Sequence, residues 1–207
     1  KGPCMNAFLR NRKSASGTLA CIVTFCGFGM LAAGATAQNF PQKPVRMIVP
    51  LAAGGSTDVL ARLIGSKLTE LWSQNVIVEN KPGGGTSIGN DFVAKAPADG
   101  YTILMATSAY AVNFSLLAKV PYKQTDLTAL SNAAQTPNVL VVHPSVPVKN
   151  LKELTALLKA RPGQLTFSSG GIGGSSHLAG ELFKVMANVD ITHVPYKGGS
   201  LAVTDVV

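Results

Sequence analysis

The chain has 207 residues, 46% of them apolar and 14% charged, with a formal charge of +8. So much apolar side chain against so little charge excludes a disordered tail and allows a sizeable buried core. The charge is uneven: Lys1, Arg10, Arg12 and Lys13 precede residue 38, and the remainder carries 14 basic against 10 acidic side chains with no basic cluster or interleaved aromatics, which argues against nucleic-acid binding.

Those four basic residues lead into the apolar run Thr18–Leu31, and Ala35-Thr36-Ala37 follows it. A basic start, an apolar centre and a small-x-small site read as a cleavable export signal over residues 1–37, with the mature chain starting near Gln38. Cys4, Cys21 and Cys26 all fall inside that segment. The mature chain is therefore expected to have neither a disulfide nor a thiolate metal site.

The stretch Val45-Arg46-Met47-Ile48-Val49-Pro50 reads as a buried strand that turns through Ala53-Gly54-Gly55 into a helix at Ser56. From there Val59, Leu60, Leu63, Ile64, Leu68, Leu71 and Trp72 recur at helical spacing, which puts Arg62 on the solvent side. Val76-Ile77-Val78 is a second strand, ended by Lys81-Pro82-Gly83-Gly84-Gly85. A short helix holds Phe92-Val93-Ala94, Tyr101–Ala106 is a third strand, and another helix begins near Ser108.

Past Pro137 the device repeats. Val139-Leu140-Val141-Val142 reads as a strand, and Asn150 with Glu153 three residues on is an N-terminal cap for a helix running to Arg161-Pro162-Gly163. Leu165–Ser168 is a strand, Ser169-Gly170-Gly171-Ile172-Gly173-Gly174 a glycine turn, and Ser175 opens a helix whose apolar side holds Leu178, Leu182, Val185, Met186 and Val189. Ile191–Val194 is a last strand, followed by a helix from the Tyr196-Lys197-Gly198-Gly199 region. Alternating strands and helices predict an α/β fold with parallel-rich sheets flanked by helices.

Strand, glycine turn, hydroxyl residue and helix occur together twice. The first turn of a helix has unpaired N–H groups at the positive end of the dipole, so each turn is a potential seat for a carboxylate or phosphate. Two such seats in two α/β halves of an exported protein suggest two lobes, 38–138 and 139–207, closing on a small acid. Gly85-Thr86-Ser87-Ile88-Gly89 matches a nucleophile-elbow pattern, and Asp99, Asp126 and His143, His177 and His193 follow it in hydrolase order. The elbow needs its strand to run straight into the first glycine, whereas Lys81-Pro82-Gly83-Gly84 intervene. An exported serine hydrolase is thus the alternative. No metal-ligand spacing, dinucleotide fingerprint or phosphate-loop lysine is present, so neither metal nor other cofactor is expected.

Further segments carry a resemblance. Phe40-Pro41-x-Lys43-Pro44-Val45-Arg46, Ala53-Gly54-Gly55-x-Thr57-Asp58, Ala61-Arg62, Val78-Glu79-Asn80-Lys81-Pro82-Gly83, Asp99-Gly100-Tyr101-Thr102, His177-Leu178-Ala179-Gly180 and His193-Val194-Pro195-Tyr196-Lys197-Gly198 together resemble the tripartite tricarboxylate transporter substrate-binding proteins, the Bug family. The resemblance implies a two-lobed type II periplasmic-binding-protein fold, a monomer in the periplasm that captures a di- or tricarboxylate or related acid for membrane transporter subunits, and no enzyme activity. It implies ligand contacts at Ala53, Gly54, Gly55 and Asp58 in the first lobe and at Ser169, Gly171, Gly173 and His177 in the second. The family usually has proline at Ala53, glycine at Ser56 and a hydroxyl at Gly174, for which Ser175 substitutes one position later. Leu201 also stands where a proline is usual. Family members run on by roughly another hundred residues, so a C-terminal part of the fold is expected to be missing, the helices starting at Ser56 and Ser175 to bury their apolar faces incompletely, and the chain to aggregate or bind weakly.

Overall fold

The computed structural model describes residues 40–207; the segment read as an export signal, 1–37, lies outside the described residues. Val45–Val49 (β1) is the centre of a three-stranded parallel sheet, between Val76–Asn80 (β2) and Thr102–Leu104 (β3). Its register runs from Val45 opposite Val76 to Val49 opposite Asn80 on one side, and from Arg46 opposite Thr102 to Ile48 opposite Leu104 on the other. A strand covered on both faces reads as a continuous apolar run, and only Arg46 of the five is not buried. That residue reaches diagonally to β2, where Nε and Nη2 meet the two oxygens of Glu79 at 2.6 and 2.8 Å.

Helix α1, Ser56–Trp72, returns over the sheet. Met47 and Val49 pack there with Ala61, Ile64, Leu68, Val76, Val78 and Ile103. Gly65 permits the close approach, since a Cβ there would sit 3.3 Å from a Val78 methyl. Ile48 points to the other face and is fully buried too, so both faces are covered. Helix α2, Ser87–Ala94, packs on β3 and β1, and helix α3, Ser108–Leu116, follows. Tyr110, Phe114 and Tyr122 pack ring on ring beside α3, with centroids 5.5 to 5.8 Å apart.

The second half begins with helix α4, Leu151–Ala160. Its Asn150 side chain accepts from the Glu153 N–H at 3.0 Å, and the Glu153 carboxylate accepts from the Lys149 N–H at 2.7 Å. Thr166–Ser169 (β4) and Thr192–Pro195 (β5) form a parallel pair joined by helix α5, Ser175–Ala187, and helix α6, Gly199–Thr204, follows. Leu154, Leu158 and Ile191 make this core, with Val148, Leu165, Phe167, Phe183 and Val189 around them.

One expectation needs correction. Val139–Val142 forms no strand: the four residues are exposed and pair with neither sheet. Branched side chains favour a strand only where a partner edge supplies hydrogen bonds and a face to pack on. In α1 the sheet side holds Ala61, Ile64 and Leu68 and in α5 it holds Phe183, while Val59, Leu63, Leu71, Leu178, Leu182, Val185 and Met186 are exposed, in keeping with the expectation of incomplete burial.

Candidate anion-binding site

The first turn hangs from β1. The Ala52 N–H donates to the Lys197 carbonyl at 2.9 Å and the Ser200 hydroxyl to the Ala53 carbonyl at 3.2 Å, tying this turn to the approach to α6. Gly54 adopts φ +81°, a left-handed conformation that costs other residues roughly 1–2 kcal/mol. Gly55 is the N-cap of α1 and no side chain caps the helix, so neither Ser56 nor Thr57 takes that role. The Ser56 and Thr57 N–H groups consequently have no partner among the described residues.

Asp58 is turned inward and is 3% exposed. Its Oδ2 accepts from the Gly54 N–H at 2.9 Å and from Arg62 Nε at 3.0 Å, and its Oδ1 accepts from Asn80 Nδ2 at 2.9 Å. Burial pushes its carboxyl up, but the bonds from Arg62, Gly54 and Asn80 outweigh that and hold it below the ordinary value. Arg62 also reaches Asn80 Oδ1 at 3.1 Å, so it is pinned across the end of β2 and does not stand idle in solvent. Helical spacing showed which side of α1 Arg62 occupies, but the end of β2 that meets it there comes from tertiary structure.

The second turn uses its own donors internally. Gly170 N–H donates to Ser176 Oγ, Gly171 N–H to Ser169 Oγ and Gly173 N–H to His177 Nδ1, each at 3.2 Å. Ser169 is buried and lies 2.7 Å from His193 Nε2, and the His193 ring stacks on His177 with centroids 4.1 Å apart. Burial, and then His177, hold the His193 pKa below its ordinary value. Gly174 caps α5 without side-chain help, and the Ser175 and Ser176 N–H groups at its start have no partner among the described residues. The Ser176 hydroxyl, having accepted from Gly170, has its own proton to donate outward.

A third turn completes the wall. Gly83, Gly84, Gly85 and Thr86 all have positive φ. Asn113, fully buried, donates from Nδ2 to the Gly85 carbonyl at 2.7 Å, and Asn90 donates to Thr86 Oγ1 at 3.2 Å and to the Tyr122 hydroxyl at 2.9 Å. A Cβ at Gly173 would come within 3.1 Å of Asn113 Oδ1, so this side chain sits between turns of the two halves.

These turns border one open cavity of about 1400 Å3. Its wall includes Ser56 and Thr57 of α1, Ser108 of α3, Ser175 and Ser176 of α5, the Gly83–Thr86 turn, Gly170–Ile172 and Tyr196–Lys197. Three helix N-termini thus open on the same space, which favours an anion there. A smaller cavity of about 370 Å3, between Leu158, Pro162 and Asn188, lies at the C-terminal ends of α4 and α5, the wrong polarity for an anion.

Of the residues expected at the site, Gly171 and Ser175 line the cavity. Ala53, Gly54, Gly55 and Asp58 build the turn beneath Ser56 and Thr57, while Ser169, Gly173 and His177 shape the second turn from behind. Ser56, Thr57, Ser108, Ser176 and the Gly83–Thr86 turn were not singled out as ligand contacts. The signal was there, because each belongs to a glycine turn or to a hydroxyl residue opening a helix. Ser87 opens α2 after a helical turn at Gly84–Thr86, with no strand leading into it. The three histidines bond instead to Ser145, Gly173 and Ser169. Among the described residues no group of three His, Cys, Asp or Glu is placed to hold a metal.

Residues 60–207 match the tripartite tricarboxylate transporter family receptor. Protein BugT of Bordetella pertussis is 41% identical over 190 residues, 90% of this chain and 58% of BugT. An R. palustris protein solved with adipate is 36% identical, with a TM-score of 0.75 over 81% of this chain and 56% of that one. The periplasmic binding protein BugD is 34% identical, with a TM-score of 0.68 over the same shares. The chain therefore spans a little over half the length of the curated relatives and solved structures it matches. The fold is the α/β fold of periplasmic binding proteins, the relatives are receptors and not hydrolases, and the chain belongs to the tripartite tricarboxylate transporter receptor family.

Proposed function

We propose that this protein is a monomeric periplasmic receptor that captures a small di- or tricarboxylate, or a related acid, between lobes 38–138 and 139–207 and delivers it to the membrane subunits of a tripartite transporter. Residues 1–37 serve as its export signal. The observation that carries the reading is the convergence of the α1, α3 and α5 N-termini on one cavity. Ser56, Thr57, Ser175 and Ser176 supply N–H donors, and Gly54, Gly55, Asp58, Ser169, Gly171, Gly173 and His177 hold the turns that aim them. Charge-assisted bonds contribute about 1.5–3 kcal/mol each, so several of them reach roughly −8 kcal/mol, a micromolar affinity, after association costs. No lysine or arginine need touch the acid. The adipate held by the R. palustris relative is a ligand of this class.

A thermal-shift panel tests the reading. Adipate, succinate and citrate are compared with adipamide, which keeps the carbon chain and loses the charge. Ligand at a hundred times its Kd adds about 2.7 kcal/mol, raising the melting temperature by several degrees. A rise with at least one acid and none with the diamide is expected. No response to any acid, or an equal response to adipamide, would contradict it.

A further inference from the structure

The first turn contains a full negative charge at the place where an anion is to be received. Asp58 lies beneath Ser56 and Thr57, buried, with its carboxylate bound to the Gly54 N–H of the same turn. An anion at the first turn of α1 would sit roughly one helical turn, about 5 Å, from that carboxylate. The cation bonded to Asp58 is Arg62, through Nε at 3.0 Å, and its Nη2 is fixed on Asn80 Oδ1 at 3.1 Å. Asn80 in turn binds Asp58 Oδ1 and the Leu51 carbonyl through Nδ2, so Arg62 is aimed at Asp58 by the end of β2. The other bonds to Asp58 come from neutral donors, which hold its shape without cancelling its charge.

We propose that Arg62 is a positioning residue for anion capture: it neutralises Asp58 and so lets the first glycine turn receive a carboxylate it does not itself touch. The proposal rests on the receptor reading above and goes beyond it in making the affinity of this turn depend on charge balance as well as on backbone geometry. A bare like charge about 5 Å away, at an effective dielectric of about 20, would weaken an anion by about two orders of magnitude. With the Arg62 head half in solvent, about tenfold is the expected effect.

Adipate titrations of the 15N-labelled chain, read at the Ser56 and Thr57 amides, test this. Arg62→Gln is expected to raise the adipate Kd about tenfold, and Arg62→Lys, which restores the charge without the planar fork, to recover most of the loss. Adding Asp58→Asn to Arg62→Gln removes both charges and is expected to recover part of the affinity that Arg62→Gln alone loses, where a purely structural loss would only be compounded. The Arg62→Gln defect is also expected to shrink between low salt and 0.5 M salt, as a charge effect does and a lost shape does not. Adipate shifts in the unsubstituted chain with an unchanged Kd in Arg62→Gln would overturn this proposal and leave the receptor reading standing, as would an Arg62→Lys as poor as Arg62→Gln. No response at either turn of the unsubstituted chain to adipate, succinate or citrate would overturn the receptor reading and this proposal with it.

Discussion

His193 shows how much of the second turn rests on one protonation state. Its Nε2 lies 2.7 Å from Ser169 Oγ, and its ring is sandwiched between His177 and Phe167 with centroids 4.1 and 4.8 Å away. Burial holds its pKa below the ordinary 6.5, His177 and Lys184 act in the same sense, and Glu181 opposes them. A histidine whose folded pKa lies below its unfolded one contributes stability above the unfolded value, and that contribution is lost as pH falls from about 6.5 toward the folded value. Asp58, held low, loses its contribution only further into acid. The melting temperature is therefore expected to fall between about pH 7 and pH 5, and His193→Gln to flatten that fall. Scanning fluorimetry across the range measures it, and an unchanged slope in the variant would contradict the assignment.

Helices α1 and α5 each carry more apolar residues than one sheet can cover. In α5 Phe183 joins the core while Val185 and Met186 are 78% and 77% exposed. Helical periodicity identifies an apolar stripe, but it does not say which of two adjacent stripes meets the sheet. The answer came from small residues, Ala61 and Gly65 in α1 and Gly180 in α5, where backbone approaches strand: a Cβ at Gly180 would overlap the Phe167 ring. Exposed apolar stripes promote association and dye binding. Replacing Val185 and Met186 with glutamate is expected to lower concentration-dependent light scattering and to change stability by no more than about 0.5 kcal/mol each. A loss of 2 kcal/mol or more, as for core residues, would show that this stripe is packed in solution.

Across the whole molecule, the strand, glycine turn and helix device was legible because it is local: β1 with α1 and β4 with α5 each form within about 30 residues of chain. Asn150 and Glu153 were legible as a cap for the same reason. What the sequence hid is long-range: the bond from Ala52 to Lys197, the seat of Asn113 between Gly85 and Gly173, and the engagement of Arg62 with Asn80. Val139–Val142 misled because strand propensity is realised only against a partner edge. The site was half legible on the same principle. The glycine turns were visible, but only folding brings the N-termini of α1, α3 and α5 to the wall of one cavity. That convergence is the central claim, and a 15N–1H amide map of the chain titrated with adipate tests it most directly. The account predicts that Ser56, Thr57, Ser175 and Ser176 shift together along one saturation curve. Shifts gathered at Leu158, Asn188 and Asp190, or at only one of the two turns, would contradict it.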